Sequence, residues 1–514
     1  MKTRLLCLML LLCMLLPMAL ACNNQPADEG PQSDVSDSDS GSETENKYDV
    51  YDNLGEVDLL GRTITIASVD RSWYDDEVSI SRTSGNIVPD AIYKRNEAVK
   101  TRLNIKISSK RLGDRGNNSL IQYAVVDDLR ANVAGTHAYD IAFSPTYAAI
   151  MHTGANIFYD LRKLEAIDFE QPYWSQFFNE TASYGGAQYM ATGAISLSFY
   201  RFIFATYVNN KVLDTKADAP DLIQVVNDGK WTLEYQRQLA NEYYSPVGSA
   251  ATKTEQDTFG HVTSDYLNVD PYWSSCEMYI LKKNDANYYE LALDVDRISS
   301  VVDILVRAYS ENGTYCYKYD STHETGNGEQ VEIAKKFASG EALMATIRLI
   351  EAENEHIRDM SDSYTILPIP RYSEDQEAYY SYVHDSFTSV CIPSTAKDDD
   401  AQDFGKVLEA MASESYRTVT PAYYETALKA RYSGSKESWE MLDMMTQNVY
   451  MDGGVLYTKS LQSVHQKLRN IAGNAYKNGK GNTTASTYNE EYVAKVQTAL
   501  NTLQGELKAL EKLN

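Results

Sequence analysis

Cysteine is scarce. The 514-residue chain has 6, and Cys7, Cys13 and Cys22 fall within or at the end of its apolar leader. Only Cys276, Cys316 and Cys391 remain beyond it. No two cysteines are spaced as CxxC, which removes a zinc-ribbon or thioredoxin-like reading. Among the last three one pair could bond outside the cell, Cys276–Cys316 being the better placed, and the apolar neighbours of Cys391 suit a buried thiol. Basic charge is also short: 47 Lys and Arg stand against 72 Asp and Glu, a formal charge of −25. A nucleic-acid partner needs a basic footprint, so that class is excluded. The 7 His are scattered, HExxH is absent, and no GxxxxGK[ST] loop occurs, so neither a metal nor a nucleotide cofactor is expected. Phe (12) and Trp (5) are few, whereas Tyr reaches 39. Tyr has a flat apolar face and a polar edge, which suits the C–H faces and hydroxyls of carbohydrate. At any single position a half-buried Tyr in place of Phe is the plainer reading.

Long apolar runs are absent but for one. Lys2 and Arg4 precede Leu5–Leu20, and Ala21-Cys22 follows. Positive charge, apolar core and a small residue at the cut make an export signal, too short and wrongly flanked for a permanent span. Met18–Cys22, Met-Ala-Leu-Ala-Cys, is similar to a bacterial lipobox, with Ala19 where Leu is preferred. That similarity implies a diacylglycerol on the Cys22 sulfur, whose buried methylenes at roughly 0.8 kcal/mol each would hold the protein at the outer membrane surface. Asn23–Lys47 is Asp, Ser, Glu, Gly, Pro and Asn with Val35 as its one large apolar residue. It cannot bury enough surface to offset its ordering entropy. As a tether it would give about 25–30 Å of play.

Tyr48–Asn514 is long enough for two lobes with cores of their own. Arg62–Ser68 reads as a strand, Ile87–Leu103 as an amphipathic helix, Ile105–Ser109 as a strand, Leu120–Ala134 as a helix and Tyr139–Phe143 as a strand, with Ser144–Tyr147 opening the next helix. This alternation predicts a largely parallel sheet. Gln188–Gly193 and Arg201–Asn209 carry the chain across. Thr232 caps a helix at Leu233–Glu242; Arg297–Tyr309 and Val331–Phe337 are further helices. Ala342–Ile347 is a strand ending at Arg348, followed by a helical turn, the Pro-bracketed strand Ile366–Pro370, an acidic Tyr-rich connection, and the strand Ser389–Ile392. Asp403–Met411 is helical, as is nearly all that follows. The crossings between two α/β halves face a cleft, where a ligand is expected.

An ordered set of segments resembles one known family, the bacterial extracellular solute-binding proteins of family 1, sugar-type receptors of ABC importers. It comprises the lipobox with its acidic tether, DLLGRTITI at Asp58–Ile66, YDIAFSP at Tyr139–Pro145, ATYVNNKVLD at Ala205–Asp214 and NDGKWT at Asn227–Thr232. FASGEALMATI at Phe337–Ile347, ILPIPRYSEDQEAYYS at Ile366–Ser381 and SESYRTVTPAYYETALKARY at Ser413–Tyr432 complete it. The resemblance implies an α/β, two-lobed periplasmic-binding-protein-like fold of type II, maltose-binding-protein-like, with a hinge, a central cleft and a helical C-terminal region. Residues 1–21 are then the leader and 22–47 the lipidated Cys with its tether. Residues 48–200 and 386–420 form one lobe; 201–385 and 421–514 form the other with the C-terminal helices. It further implies a monomer on the extracellular face of the cell membrane, lipid-anchored, that closes on a sugar-like solute and delivers it to separate permease subunits.

Position then selects contacts. Asp70 and Trp73 follow the first strand, and Ser144 and Tyr147 follow YDIAF. Tyr200 and Arg201 lie at the first crossing, and Asp385, beside His384, lies on the return. Asp270-Pro-Tyr272-Trp273 resembles an aromatic turn that sugar-binding members place in the cleft. Arg348 stands where such members often carry a ring, which argues against a neutral maltose-like ligand and leaves an acidic or decorated sugar open. Removing Arg348 is expected to weaken binding with little loss of stability. A surface-anchored glycoside hydrolase, the enzymatic alternative, needs two carboxylates about 5–10 Å apart; no strand-end acid pair or nucleophile elbow stands out. A surface adhesin would show repeats, and none is seen. No catalytic residue is assigned and no enzymatic activity is expected.

Overall fold

The computed structural model describes residues 46–70, 77–78, 83–113, 121–131, 138–249, 252–317, 329–353, 355–428 and 436–512. The chain divides into two units, Met1–Asn46 and Lys47–Asn514. Every element described below belongs to the second. Cys22 lies outside the described residues.

Two mixed sheets form the frame. The first has the order β11-β3-β1-β2, from β1 (Arg62–Val69), β2 (Ile105–Leu112), β3 (Ile141–Pro145) and β11 (Thr388–Cys391). β1 pairs in parallel with both β2 and β3. Ile64, Ile66 and Val69 are buried, as is all of β3, the pattern of a sheet covered on both faces. Helix Ile87–Leu103 links β1 to β2 and buries Val88, Ala91, Ile92, Arg95, Asn96, Val99 and Leu103. It stops at Asn104, whose left-handed conformation (φ 50°) lets its N–H reach Lys100 and Thr101 carbonyls, a common helix ending.

The second sheet has the order β10-β4-β9-β5-β8, from β4 (Phe204–Asn209), β5 (Phe259–Thr263), β8 (Thr314–Cys316), β9 (Ala342–Arg348) and β10 (Tyr364–Leu367). β5 is parallel to β8 and β9, while β4 is antiparallel to β9 and β10. A small hairpin, β6 (Leu281–Lys283) and β7 (Tyr289–Leu291), stands apart. Helices Asp398–Glu414, Leu468–Asn478 and Glu490–Glu511 account for much of the C-terminal part.

Several expectations shift by a few residues for plain reasons. Ser144 and Pro145 end β3 rather than open a helix, because β11 pairs with both of them; the helix begins at Thr146. The Ile366–Pro370 segment is a strand only to Leu367, starting at Tyr364, since Pro368 and Pro370 have no N–H to give a ladder. The parallel sheet gains an antiparallel edge, β11, drawn from more than two hundred residues downstream. Cys276, Cys316 and Cys391 are all buried free thiols, so the Cys276–Cys316 bond left open from their place in one lobe is not formed. Burial pushes the Cys276 and Cys391 thiols up to about 12, which leaves them inert. Among the described residues no helix is long and apolar enough to cross a membrane.

Helix Leu233–Glu242 lies hard against the second sheet. Thr232 caps it, its hydroxyl accepting from Tyr235 N–H. A Cβ on Gly260 of β5 would lie 2.0 Å from the Ala240 carbonyl oxygen, and one on Gly313 2.5 Å from the Ala240 carbonyl carbon. Backbone cannot yield as a flexible side chain can. Gly260→Ala is therefore expected to lower stability by about 1–3 kcal/mol or more, seen as a reduced midpoint in thermal unfolding. An unchanged midpoint would contradict the close approach.

Candidate functional site

The two sheets are joined by chain crossings that bond to each other. Helix Leu197–Arg201 runs into β4, and Ser381–Asp385 returns toward β11. Phe204 N–H donates to the Tyr382 carbonyl (3.0 Å) and His384 N–H to the Phe202 carbonyl (3.0 Å). The end of β9 joins them: Leu349 N–H donates to Ile203 O (2.8 Å). Backbone pairing thus fixes three side-chain clusters around one place.

Arginines gather there, each with a carboxylate. Arg201 holds Glu353 through Nε and Nη2 (2.8 and 2.9 Å). Arg348 Nη2 donates to Glu351 Oε1 (2.7 Å), and its guanidinium lies 5.4 Å from the Phe202 ring centre. Arg469 donates to both oxygens of Asp270 (2.6–3.2 Å). Asp270 is fully buried, with His465 Nε2 3.7 Å away. Burial opposes its charge, but Arg469 and His465 hold its carboxyl well below the usual range.

His384 sits among these groups, its Nε2 3.8 Å from Asp385 Oδ1. Burial, with the Arg348 and Arg469 charges, pulls its pKa down to about 4 against the pull of Asp385 and Asp270. The ring is neutral at pH 7. The Asp385 carbonyl accepts Tyr147 N–H (3.0 Å) and the Phe387 carbonyl accepts Thr146 N–H (2.8 Å). The helix after β3 is thereby tied to the return crossing. Tyr147 stacks edge-on with Tyr123 (5.7 Å), and Lys459 Nζ lies about 5 Å from both ring centres.

Several buried polar atoms in this region have no hydrogen-bond partner among the described residues: Arg348 Nε, His384 Nδ1, Tyr382 Oη and Thr146 Oγ1. An unmet buried donor or acceptor costs about 1–3 kcal/mol. All four lie where the two crossings and the end of β9 meet.

The residues selected from sequence are distributed as follows. Arg348 and Asp385 are brought together around His384, and Tyr147 is tied to them by its N–H on the Asp385 carbonyl while its ring packs on Tyr123. Arg201 is adjacent but engaged with Glu353. Tyr272 and Trp273 are buried in the helix Pro271–Ser275 next to the Asp270–Arg469 pair, and Trp273 Nε1 donates to the His465 carbonyl (3.1 Å). Ser144 is buried within β3. Tyr200 turns its ring toward Tyr424 (5.3 Å between centroids). Asp70 follows β1, its N–H donating to Leu112 O (2.8 Å), and Trp73 lies outside the described residues. Sequence reasoning missed Lys459, His465, Arg469 and Tyr382. The spacing of His465 and Arg469, four apart, was the one available signal. Glu351 changes one expectation. Its side chain is only 9% exposed, so Arg348→Ala would strand a buried carboxylate and lower stability.

No family model matches the chain, and no curated protein matches it in sequence. Solved structures do match in fold. A family 1 extracellular solute-binding protein from Bifidobacterium longum subsp. infantis aligns with a TM-score of 0.53 at 13% identity, over 85% of this chain and 100% of that one. A cyclo/maltodextrin-binding protein complexed with maltotetraose aligns with 0.51 at 10%, over 86% and 96%. The maltose-binding periplasmic protein of Listeria monocytogenes, in complex with maltose, aligns with 0.50 at 11%, over 86% and 98%. At such identities the likeness concerns fold: the chain has the two-lobed α/β architecture of maltose-binding-protein-like solute-binding proteins.

A depressed His pKa makes stability depend on pH. The unfolded chain binds the proton with a pKa near 6.5, the folded chain only near 4, so this contribution is complete above 6.5 and lost as pH falls to 4. Its full size is about 3 kcal/mol. Glu409 and Asp452, raised by burial to about 7 and about 6, act in the opposite sense, so the difference between two proteins is the readout. Relative to His384→Gln, the wild type is expected to lose stability in denaturant titrations between pH 6.5 and 4. Parallel pH profiles would contradict the assignment.

Proposed function

We propose that Lys47–Asn514 is a solute receptor that closes on a carbohydrate at the cluster around His384 and presents it to the permease of an ABC importer. One observation carries this reading: unpartnered buried donors and acceptors collect where both crossings meet. A hinged protein whose ligand touches both lobes gains those contacts only when closed, so binding and closure are linked. In this reading Arg348, His384, Asp385 and Tyr147 contact the solute, with Trp273, Tyr272 and Ser144 shaping the wall. Arg201, Asp70 and Trp73 complete the set expected at the lobe edges.

The pairing of charges refines the solute. Arg348, Arg201 and Arg469 each already face a carboxylate, and Asp385 adds a further acceptor. A ligand carboxylate would find each of these three arginines already paired. A neutral polyhydroxyl ligand, offering donors and acceptors together, fits better than the acidic sugar that Arg348 alone suggested. Charged partners make the stronger hydrogen bonds to its hydroxyls. Cys22 would carry the lipid, and the acidic tether would let the receptor find its permease.

Calorimetric titration against a panel of neutral maltooligosaccharides, with product analysis of the same mixtures, tests the receptor. The expected result is saturable binding with no released monosaccharide. The double variant Arg348→Ala/Glu351→Ala, which leaves no stranded charge, is expected to bind about 10–100-fold more weakly. Sugar release, or affinity unchanged in the double variant, would overturn the reading. The lipid is tested by cell fractionation: Cys22→Ser should leave the membrane fraction for the soluble one, and retention would remove the anchor.

A further inference from the structure

A cavity lies beside the first crossing, lined by none of Arg348, His384, Asp385 or Tyr147. Its volume is about 290 Å³. Rings of Tyr48, Trp174, Tyr200, Tyr416 and Tyr424 line it. Tyr48 and Tyr416 meet edge-on at 5.3 Å, as do Tyr200 and Tyr424. Tyr416 and Tyr424 stand on two successive π-helical stretches, Ser415–Val419 and Ala422–Leu428. Such wide turns are rare and recur at functional sites. Tyr424 is 6% exposed, and its hydroxyl has no hydrogen-bond partner among the described residues.

The chemistry of the wall narrows the occupant. Among the described residues, the only charged ones lining it, Lys47 and Asp443, form an ion pair with each other, so these offer no net charge. Gln176, Thr446 and Gln447 supply neutral hydrogen-bonding edges beside the rings. The space equals about ten liquid waters and is at the small end of ligand pockets. Water would hydrate the edges but leave the ring faces unmet. The geometry points to a second binding site for a neutral, hydroxylated single-ring ligand, a monosaccharide-like molecule stacked on tyrosine and held by the Tyr424 hydroxyl.

This cavity shares no lining residue with Arg348, His384, Asp385 or Tyr147, and the test keeps the two sites apart. The full chain is equilibrated by dialysis against labelled D-glucose, D-xylose and indole. Wild type is expected to bind a single-ring sugar. Thr446→Trp, which fills the cavity, should abolish that binding, and Tyr424→Phe should weaken it about fivefold, as loss of one hydrogen bond does. Arg348→Ala/Glu351→Ala should leave it intact. Circular dichroism melts check folding; if Thr446→Trp fails to fold, Tyr424→Phe, which loses one oxygen atom, decides. No sugar bound, unchanged affinity in the cavity variants, binding of indole instead of sugar, or loss of binding in the Arg348/Glu351 variant would each overturn the inference.

Discussion

Asp270 and Arg469 carry opposite charges in a place that water does not reach. They are 199 positions apart in sequence and share three hydrogen bonds. Neither charge could stay there alone, because an unpaired buried ion is disfavoured by several kcal/mol. The pair therefore ties the helix Pro271–Ser275 to the C-terminal helix Leu468–Asn478. Trp273 follows by donating its N–H to His465 on the same C-terminal segment. Asp270 and Arg469 also reach His384 electrostatically, from opposite sides of the balance that keeps it neutral. The interior of the candidate site is thus set by a contact neither of whose members is at a crossing.

The crossings supply the other half of the geometry. Phe202–Phe204, the Arg348–Leu349 end of β9 and Tyr382–His384 are bonded backbone to backbone. Side chains on such segments have little freedom to drift, which is what a binding constellation requires. Arg201, Arg348 and Arg469 are each paired with an acid, while Arg348 Nε and His384 Nδ1 have no hydrogen-bond partner among the described residues.

Local signals in the sequence located most of the frame. The run Arg62–Ser68 alternates as a strand should, and Ile87–Leu103 has helical spacing from end to end; both elements form where that patterning places them. The ends failed where distant partners decide. Ser144 and Pro145 are strand because β11 pairs with them, and nothing local announces a partner at Thr388–Cys391. The site divides the same way. Arg348 and Asp385 were legible as charged residues at a strand end and at a crossing. His465, Arg469 and Lys459 were not, because they lie in a helical tail whose docking depends on tertiary pairing with Asp270. Tyr200 was read as a contact from its place at the first crossing; its ring packs edge-on against Tyr424.

The central claim is that solute is held at the cluster around His384. Hydrogen–deuterium exchange of the full chain, with and without a saturating neutral maltooligosaccharide, tests it most directly. Sugar is expected to slow exchange together in the peptides covering Thr146–Tyr147, Phe202–Phe204, Arg348–Glu353, Tyr382–Asp385 and His465–Arg469. Protection confined to other segments, with these five unchanged while sugar is bound, would contradict it.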